Sequence, residues 1–313
     1  MRCDLDVVQR ARRALECSVA VSTIALATIC IACAGYAEAA TFTVSCNSKT
    51  EQATRSCTIK LTGKIEDGDS ARLRATIRSP MPAGFHFNTL LLDSPGGDVG
   101  EALRIASVVR EAMLETTTMR RVTDIDTEAL RRGDKLPRMH WRCVSACFLV
   151  WVAGAERTSF SAVDPEHGPV GIGLHRPYFA PAAYNNPASQ VAEMQQQAAV
   201  AIREYLRREQ IPESFIEKML DRSSREVYWL HESGDQWALN GRAAWFEEMM
   251  IARCSYDPVY DRQGERHGVE LVKKRKDPLT DAAYRKYLSW RQAFNGCKHE
   301  VRRSAQQAIR ESK

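Results

Sequence analysis

Three short stretches carry residue types suited to attack on a carbonyl: Ser94-Pro95-Gly96-Gly97, Cys143-Val144-Ser145-Ala146-Cys147 and Leu174-His175-Arg176-Pro177. Such chemistry needs a nucleophile, a base to take its proton, and fixed N–H donors for the developing oxyanion. Ser145 offers a hydroxyl near the start of an apolar run that reads as a helix, where unbonded amides favour negative charge. His175 offers an imidazole at the end of an apolar strand, with Pro177 fixing the turn behind it. Gly96 and Gly97 let the backbone approach a ligand closely and present its N–H groups. Each signal alone has a bland reading: a Gly-Gly pair turns a chain, a buried serine bonds its own helix, and a lone histidine is structural. Their order along the chain makes them candidates.

The elements that must position them alternate. A β-rich beginning (Thr41 to Ser45, then Thr58 to Lys64) leads into a short helix at Ala71 to Ile77 and an apolar strand at Phe87 to Leu92. Ser94-Pro95-Gly96-Gly97 ends that strand, and Asp98 caps a helix whose apolar face runs through Val99, Ala102, Leu103 and Ala106 to Val108 or Val109. Arg120 to Val122 reads as a further strand and Asp124 to Pro137 as an exposed excursion. The apolar run Cys143 to Val152 reads as a buried helix closed by Gly154, and Val170 to Leu174 as a strand delivering His175. After a loop at Pro181 to Pro187, Met194, Ala198, Ile202 and Tyr205 make the packing stripe of a long amphipathic helix. Strands alternating with helices predict an α/β fold of repeated βαβ type.

The three stretches together resemble the proteolytic subunit of the Clp protease and its periplasmic relatives, which carry a Ser-Pro-Gly-Gly loop, a serine at a helix start and a His-x-Pro after the next strand. The likeness runs from about Thr58 to Met250 and includes Leu61-Thr62-Gly63-Lys64-Ile65. It implies a ClpP/crotonase-like core of repeated ββα and βαβ units, flanked by an N-terminal β-hairpin and a C-terminal helical extension. It also implies Ser145 as nucleophile, His175 as base, and an oxyanion hole of backbone amides at Gly96 and Ala146, with Gly97 beside them. The third member stays open. Asp221 is the nearest carboxylate upstream of Val227-Tyr228-Trp229-Leu230, direct register gives Ser223, Glu226 is close, and a Ser-His dyad needs none of them. The implied activity is an ATP-independent serine peptidase or other hydrolase acting on peptides or unfolded protein, without a cofactor and without an ATPase partner. Homo-oligomerisation follows from the same likeness. The alternatives are a catalytically silent binding or scaffold protein of the cell envelope, and an acyl-CoA enzyme of crotonase type, which export disfavours.

Export is read from the first 39 residues. Arg10, Arg12 and Arg13 precede an apolar stretch from about Ser18 to Ala34 and small residues ending Ala37-Glu38-Ala39, the order of a cleaved secretory signal and a periplasmic or secreted protein. An uncleaved membrane anchor is the alternative. Beyond that segment six cysteines stand, Cys46, Cys57, Cys143, Cys147, Cys254 and Cys297, an even set suited to disulfides in an oxidising compartment. Cys46 with Cys57 is the preferred local pair, across the turn of a hairpin. His140, Cys143 and Cys147 have no evident fourth ligand, so no metal site is assigned. The domains read as 1–39 signal, 40–57 hairpin, 58–250 α/β domain and 251–313 basic extension. With 313 residues, 44% hydrophobic and 27% charged, the chain can bury one substantial core, and a net charge of +5 does not by itself call for nucleic acid. From Arg262 onward 14 Lys or Arg face 6 Asp or Glu, densest at Lys273-Lys274-Arg275-Lys276. That tail reads as a solvated helical extension docked by Tyr284, Tyr287 and Trp290, with an anionic surface as its alternative partner.

Overall fold

The computed structural model describes residues 40–46, 55–119, 141–159, 162–164, 168–177, 183, 185–222, 226–230 and 233–312. The expected signal or anchor, the strand at Arg120–Val122, the excursion at Asp124–Pro137, His140, Ser223 and part of the Pro181–Pro187 loop lie outside those residues.

The chain is α/β, with two mixed sheets among the described residues. Strand β1 (Thr41–Cys46) pairs antiparallel with β2 (Ser56–Thr62), and Cys46 faces Cys57, to which it is disulfide-bonded. In β2 alternate residues turn inward, burying Cys57, Ile59 and Leu61. Helix α1 (Asp69–Arg78) follows, burying Leu73 and Ile77. Strand β3 (His86–Asp93) is buried on both faces, which is why it reads as a continuous run rather than an alternating one. It lies parallel to β2 with a register shift that leaves Asn88 outside the ladder. Helix α2 (Val99–Glu111) starts at Asp98, whose side chain accepts from Glu101 N–H, and packs on α1. Strand β4 (Glu115–Thr117) is the other parallel partner of β3.

The apolar run after Trp141 is not one helix. Arg142–Val144 is a strand, β5, and helix α3 (Ala146–Val152) begins only after Ser145. An apolar run does not distinguish buried strand from buried helix, and here the partner decides: a later strand, β8 (Gly168–Leu174), supplies a parallel ladder for Arg142 to Val144. Every residue of α3 is buried, packed against α2. Strands β6 (Glu156–Thr158) and β7 (Ala162–Asp164) precede β8, with β6 extending the first sheet beside β4 and β7 flanking β8.

Helix α4 (Ala188–Arg208) buries Ile202, Tyr205 and Leu206 toward its C-terminal end, while Met194 and Ala198 are half-buried. Helix α5 (Glu213–Leu220) packs on it and leads to β9 (Tyr228–Trp229), antiparallel to β8. After α6 (Ser233–Leu239), β10 (Gly241–Arg242) closes the first sheet against β6. The chain ends in α7 (Ala244–Cys254), α8 (Pro258–Lys273) and α9 (Ala282–Glu311), and a Cys254–Cys297 disulfide ties α7 to α9.

The basic extension is only partly solvated. Helix α9 lies along α1 and β3, and its Gln306 accepts from Phe87 N–H (2.9 Å) while donating to Phe87 O (2.6 Å). The fully buried Arg302 reaches Asn88, Glu115 and Glu156, and Lys298 also binds Glu156 (2.9 Å). These cations hold the Glu156 carboxyl well below the usual range, against a burial that alone would raise it. The cluster sits at the N-terminal end of β3. Among the described residues no helix is long and apolar enough to cross a membrane, and the three disulfides fit an oxidising, extracellular or periplasmic setting.

Candidate active site

Strands β3, β5 and β8 run parallel, and the three candidate stretches leave their C-terminal ends. Ser94 bridges Cys143 in parallel, with Ser94 N–H donating to Arg142 O (2.7 Å) and Val144 N–H to Ser94 O (3.0 Å). Val144 stands opposite Gly173 on β8, and Ser145 N–H donates to Gly173 O (3.0 Å). Ser145 therefore leaves β5 beside Leu174, and His175 follows one residue on, on a strand about 4.8 Å away. The carboxyl edge of a parallel sheet is where α/β proteins gather their ligand-binding groups.

Ser145 has φ 58° and ψ −125°, left-handed backbone for a residue with a Cβ. A strand that turns into a helix within one residue requires it, and the conformation costs about 1–3 kcal/mol where the surroundings enforce it. They do enforce it here. Ladder bonds hold Val144, Phe148 N–H donates back to Ser145 O (2.9 Å), and a Cys143–Cys147 disulfide brackets the turn. With their sulfurs joined, Cys143 and Cys147 are not thiolate metal ligands.

Gly96 and Gly97 are also left-handed, with φ 94° and 144°. A Cβ on Gly96 would stand 2.8 Å from Ser145 Cβ and 3.0 Å from Ala146 N, so this glycine allows the loop to lie against the serine turn. Its own N–H is taken by Ser94 Oγ at 3.1 Å. Around Gly97, Ile65 N–H donates to Gly96 O (2.8 Å) and Asp98 N–H to Ile65 O (2.9 Å). That pattern turns the N–H of Gly97 away from Ile65. Ala146 N–H, at the first position of α3, has no carbonyl one turn earlier to bond. Among the described residues the amides of Gly97 and Ala146 thus stay outside the local ladder.

Ser145 and His175 are 4% and 5% exposed, so fixed dipoles near them act with less screening than in water. The Nδ1 of His175 lies 2.8 Å from Arg176 O. In the neutral ring Nδ1 carries the proton and donates, leaving Nε2 as the basic nitrogen. Among the described residues Ser145 Oγ is not hydrogen-bonded to His175, and neither Asp221 nor Glu226 bonds the imidazole. Asp221 is exposed at the C-terminal end of α5. Extending the β8–β9 register past Leu174–Tyr228 sets Val227 opposite His175, with the exposed Glu226 next to it. Sequence reading missed the Ser94 hydroxyl, which orders the glycine loop, and the Arg176 carbonyl, which no side-chain pattern signals.

Comparison with protein-family models, with curated proteins and with solved structures finds no match.

Proposed function

We infer that the chain is an exported, ATP-independent serine hydrolase, a peptidase on a Clp-protease-like (ClpP/crotonase) fold, acting through an acyl-enzyme at Ser145. The observation that carries this reading is the left-handed backbone of Ser145 at a strand-to-helix turn, with Gly96 packed against it and His175 on the adjoining strand. Strain of this kind at a small polar residue between a strand and a helix is characteristic of a nucleophile turn. His175 takes the Ser145 proton through Nε2 as Oγ attacks the substrate carbonyl, and the pair draws together when substrate fills the site. The amides of Gly97 and Ala146 receive the oxyanion, and Gly96 keeps the loop close instead of donating. The proton then passes from His175 to the leaving amine, and water resolves the acyl-enzyme by the same route. Arg176 O stands at Nδ1, the side of the ring on which a carboxylate stands in a triad.

A fluorophosphonate probe tests the reading. Wild-type protein should label, Ser145→Ala should not, and His175→Ala should label at least about a hundredfold more slowly. A folded wild-type protein that takes no label favours the silent scaffold instead.

A further inference from the structure

Helix α8 has two faces of opposite character. Asp261, Gly264, Gly268 and Leu271 are buried at spacings of three and four, and Gly264 and Gly268 receive the rings of Tyr287 and Tyr284 from α9. Val259, Arg262, Arg266, Val269 and Lys273 follow the same spacing on the outward side, and all are exposed. The apolar members are open to water: Val259 is 52% exposed, Val269 54%, and beyond them Val272 64% and Leu279 63%. Lys274, Arg275 and Lys276 continue the patch.

Among the local carboxylates, Glu270 faces a patch cation, while Glu265, Asp277 and Asp281 are engaged elsewhere. Glu265 pairs with Arg291 (2.9 Å), Glu270 with Lys274 (3.4 Å), Asp277 caps Leu279 N–H (2.9 Å) and Asp281 caps Tyr284 N–H (2.8 Å). Among the described residues Arg262, Arg266, Lys273, Arg275 and Lys276 have no ion pair. Cations in such a run repel one another unless an anionic partner lies over them.

We propose that the outward face of α8, with the Lys273–Lys276 turn and Leu279, docks on an anionic phospholipid surface. Charge alone would suit any polyanion. The valines and the leucine decide between them, since apolar side chains set among cations gain free energy at the boundary of headgroups and acyl chains but nothing along a hydrated polyanion. The face also offers no aromatic platform on which bases would stack. The patch lies on a helix whose inner side is fixed to α9, so docking requires no unfolding.

Flotation with vesicles tests this on the full chain. Vesicles of phosphatidylcholine with about a third phosphatidylglycerol should bind it, and binding should fall with added salt. Phosphatidylcholine vesicles alone report any contribution of the N-terminal segment and serve as the baseline. Replacing Lys273, Lys274, Arg275 and Lys276 with Gln should weaken binding at least about a hundredfold. Replacing Val269, Val272 and Leu279 with Ser should weaken it about tenfold and leave heparin binding unchanged. Equal binding to both vesicle types, or an unaltered affinity in the Gln variant, overturns the proposal. Loss of heparin binding in the Gln variant together with unchanged vesicle binding in the Ser variant overturns it in favour of a polyanion site. All seven positions are exposed, so an unshifted Tm confirms that each variant is folded.

Discussion

Replacing Ser145 with alanine and with glycine separates backbone strain from chemistry. Both variants lack the hydroxyl and should lose probe labelling. They differ in the Cβ that makes φ 58°, ψ −125° unfavourable. At an ordinary buried helical site such as Ala102 in α2, Ala→Gly loses about 0.8 kcal/mol of methyl burial and about 0.5–1 kcal/mol of backbone entropy, so Ala102→Gly should destabilise by about 1–2 kcal/mol. At position 145 the same loss is set against the release of about 1–3 kcal/mol of strain. Ser145→Gly should therefore lie between about 1 kcal/mol below and about 2 kcal/mol above Ser145→Ala, where Ala102→Gly drops by its full loss of about 1–2 kcal/mol; for a chain of this size that separation is a few °C in Tm. Urea unfolding of the three variants beside wild type measures the comparison, with m-values checked for a common two-state transition. If Ser145→Gly falls below Ser145→Ala by as much as Ala102→Gly falls below wild type, the turn stores no strain and the argument for a built nucleophile fails.

Other consequences follow from the same contacts. Gly97→Ala would bring a Cβ to 2.1 Å from Ile65 O at a left-handed φ, so labelling should drop with stability, whereas Gly168→Ala, left-handed but in open space, should leave labelling intact. Arg302→Met takes one cation from each of Glu115 and Glu156, both of which keep Lys298 (3.9 and 2.9 Å); a loss of up to about 3–5 kcal/mol in urea is expected, and an unchanged midpoint would show that α9 does not hold the sheet. His86 and His299 face each other at 3.0 Å, and burial first, then neighbouring cations, lowers them to about 4 and about 3. The unfolded chain takes up both protons near the ordinary 6.5 while the folded chain resists. Their contribution is thus complete above that value and is lost as pH falls through 6.5 toward 4, by about 1–2 kcal/mol per ring at pH 5. His86→Asn with His299→Asn should flatten the slope of urea stability between pH 7.5 and 5; an unchanged slope would refute the assignment. Reduction of Cys143–Cys147 frees the turn around Ser145, so a Cys143→Ser, Cys147→Ser variant should label more slowly while remaining folded by circular dichroism; an unchanged rate would show that the ladder alone sets the turn.

How far sequence reading reached depends on whether the signal is local. The strand at β3, the Asp98 cap, the glycine loop and the short hairpin with Cys46 opposite Cys57 are dictated by residues close in the chain, through period, turn chemistry and capping. Where a partner far away decides, reading failed or stayed silent. Cys143 and Val144 are apolar enough for either element and become strand only because β8 lies alongside. The basic composition of the C-terminal region suggested solvent, yet Arg302 and Gln306 recur on the inward side of α9 because Glu115, Glu156 and the backbone of Phe87 wait there, brought by other elements.

Residue types and their order therefore determined which groups this protein can bring to chemistry. Only the tertiary structure decided that three strand ends meet at one edge, that Gly173 O takes the Ser145 amide, and that pairing with Ile65 turns the Gly97 amide outward. The reason is physical: capping and alternation are energies between neighbours in sequence, whereas the direction of an N–H and the conformation of Ser145 are imposed by ladders closed between segments far apart in the chain.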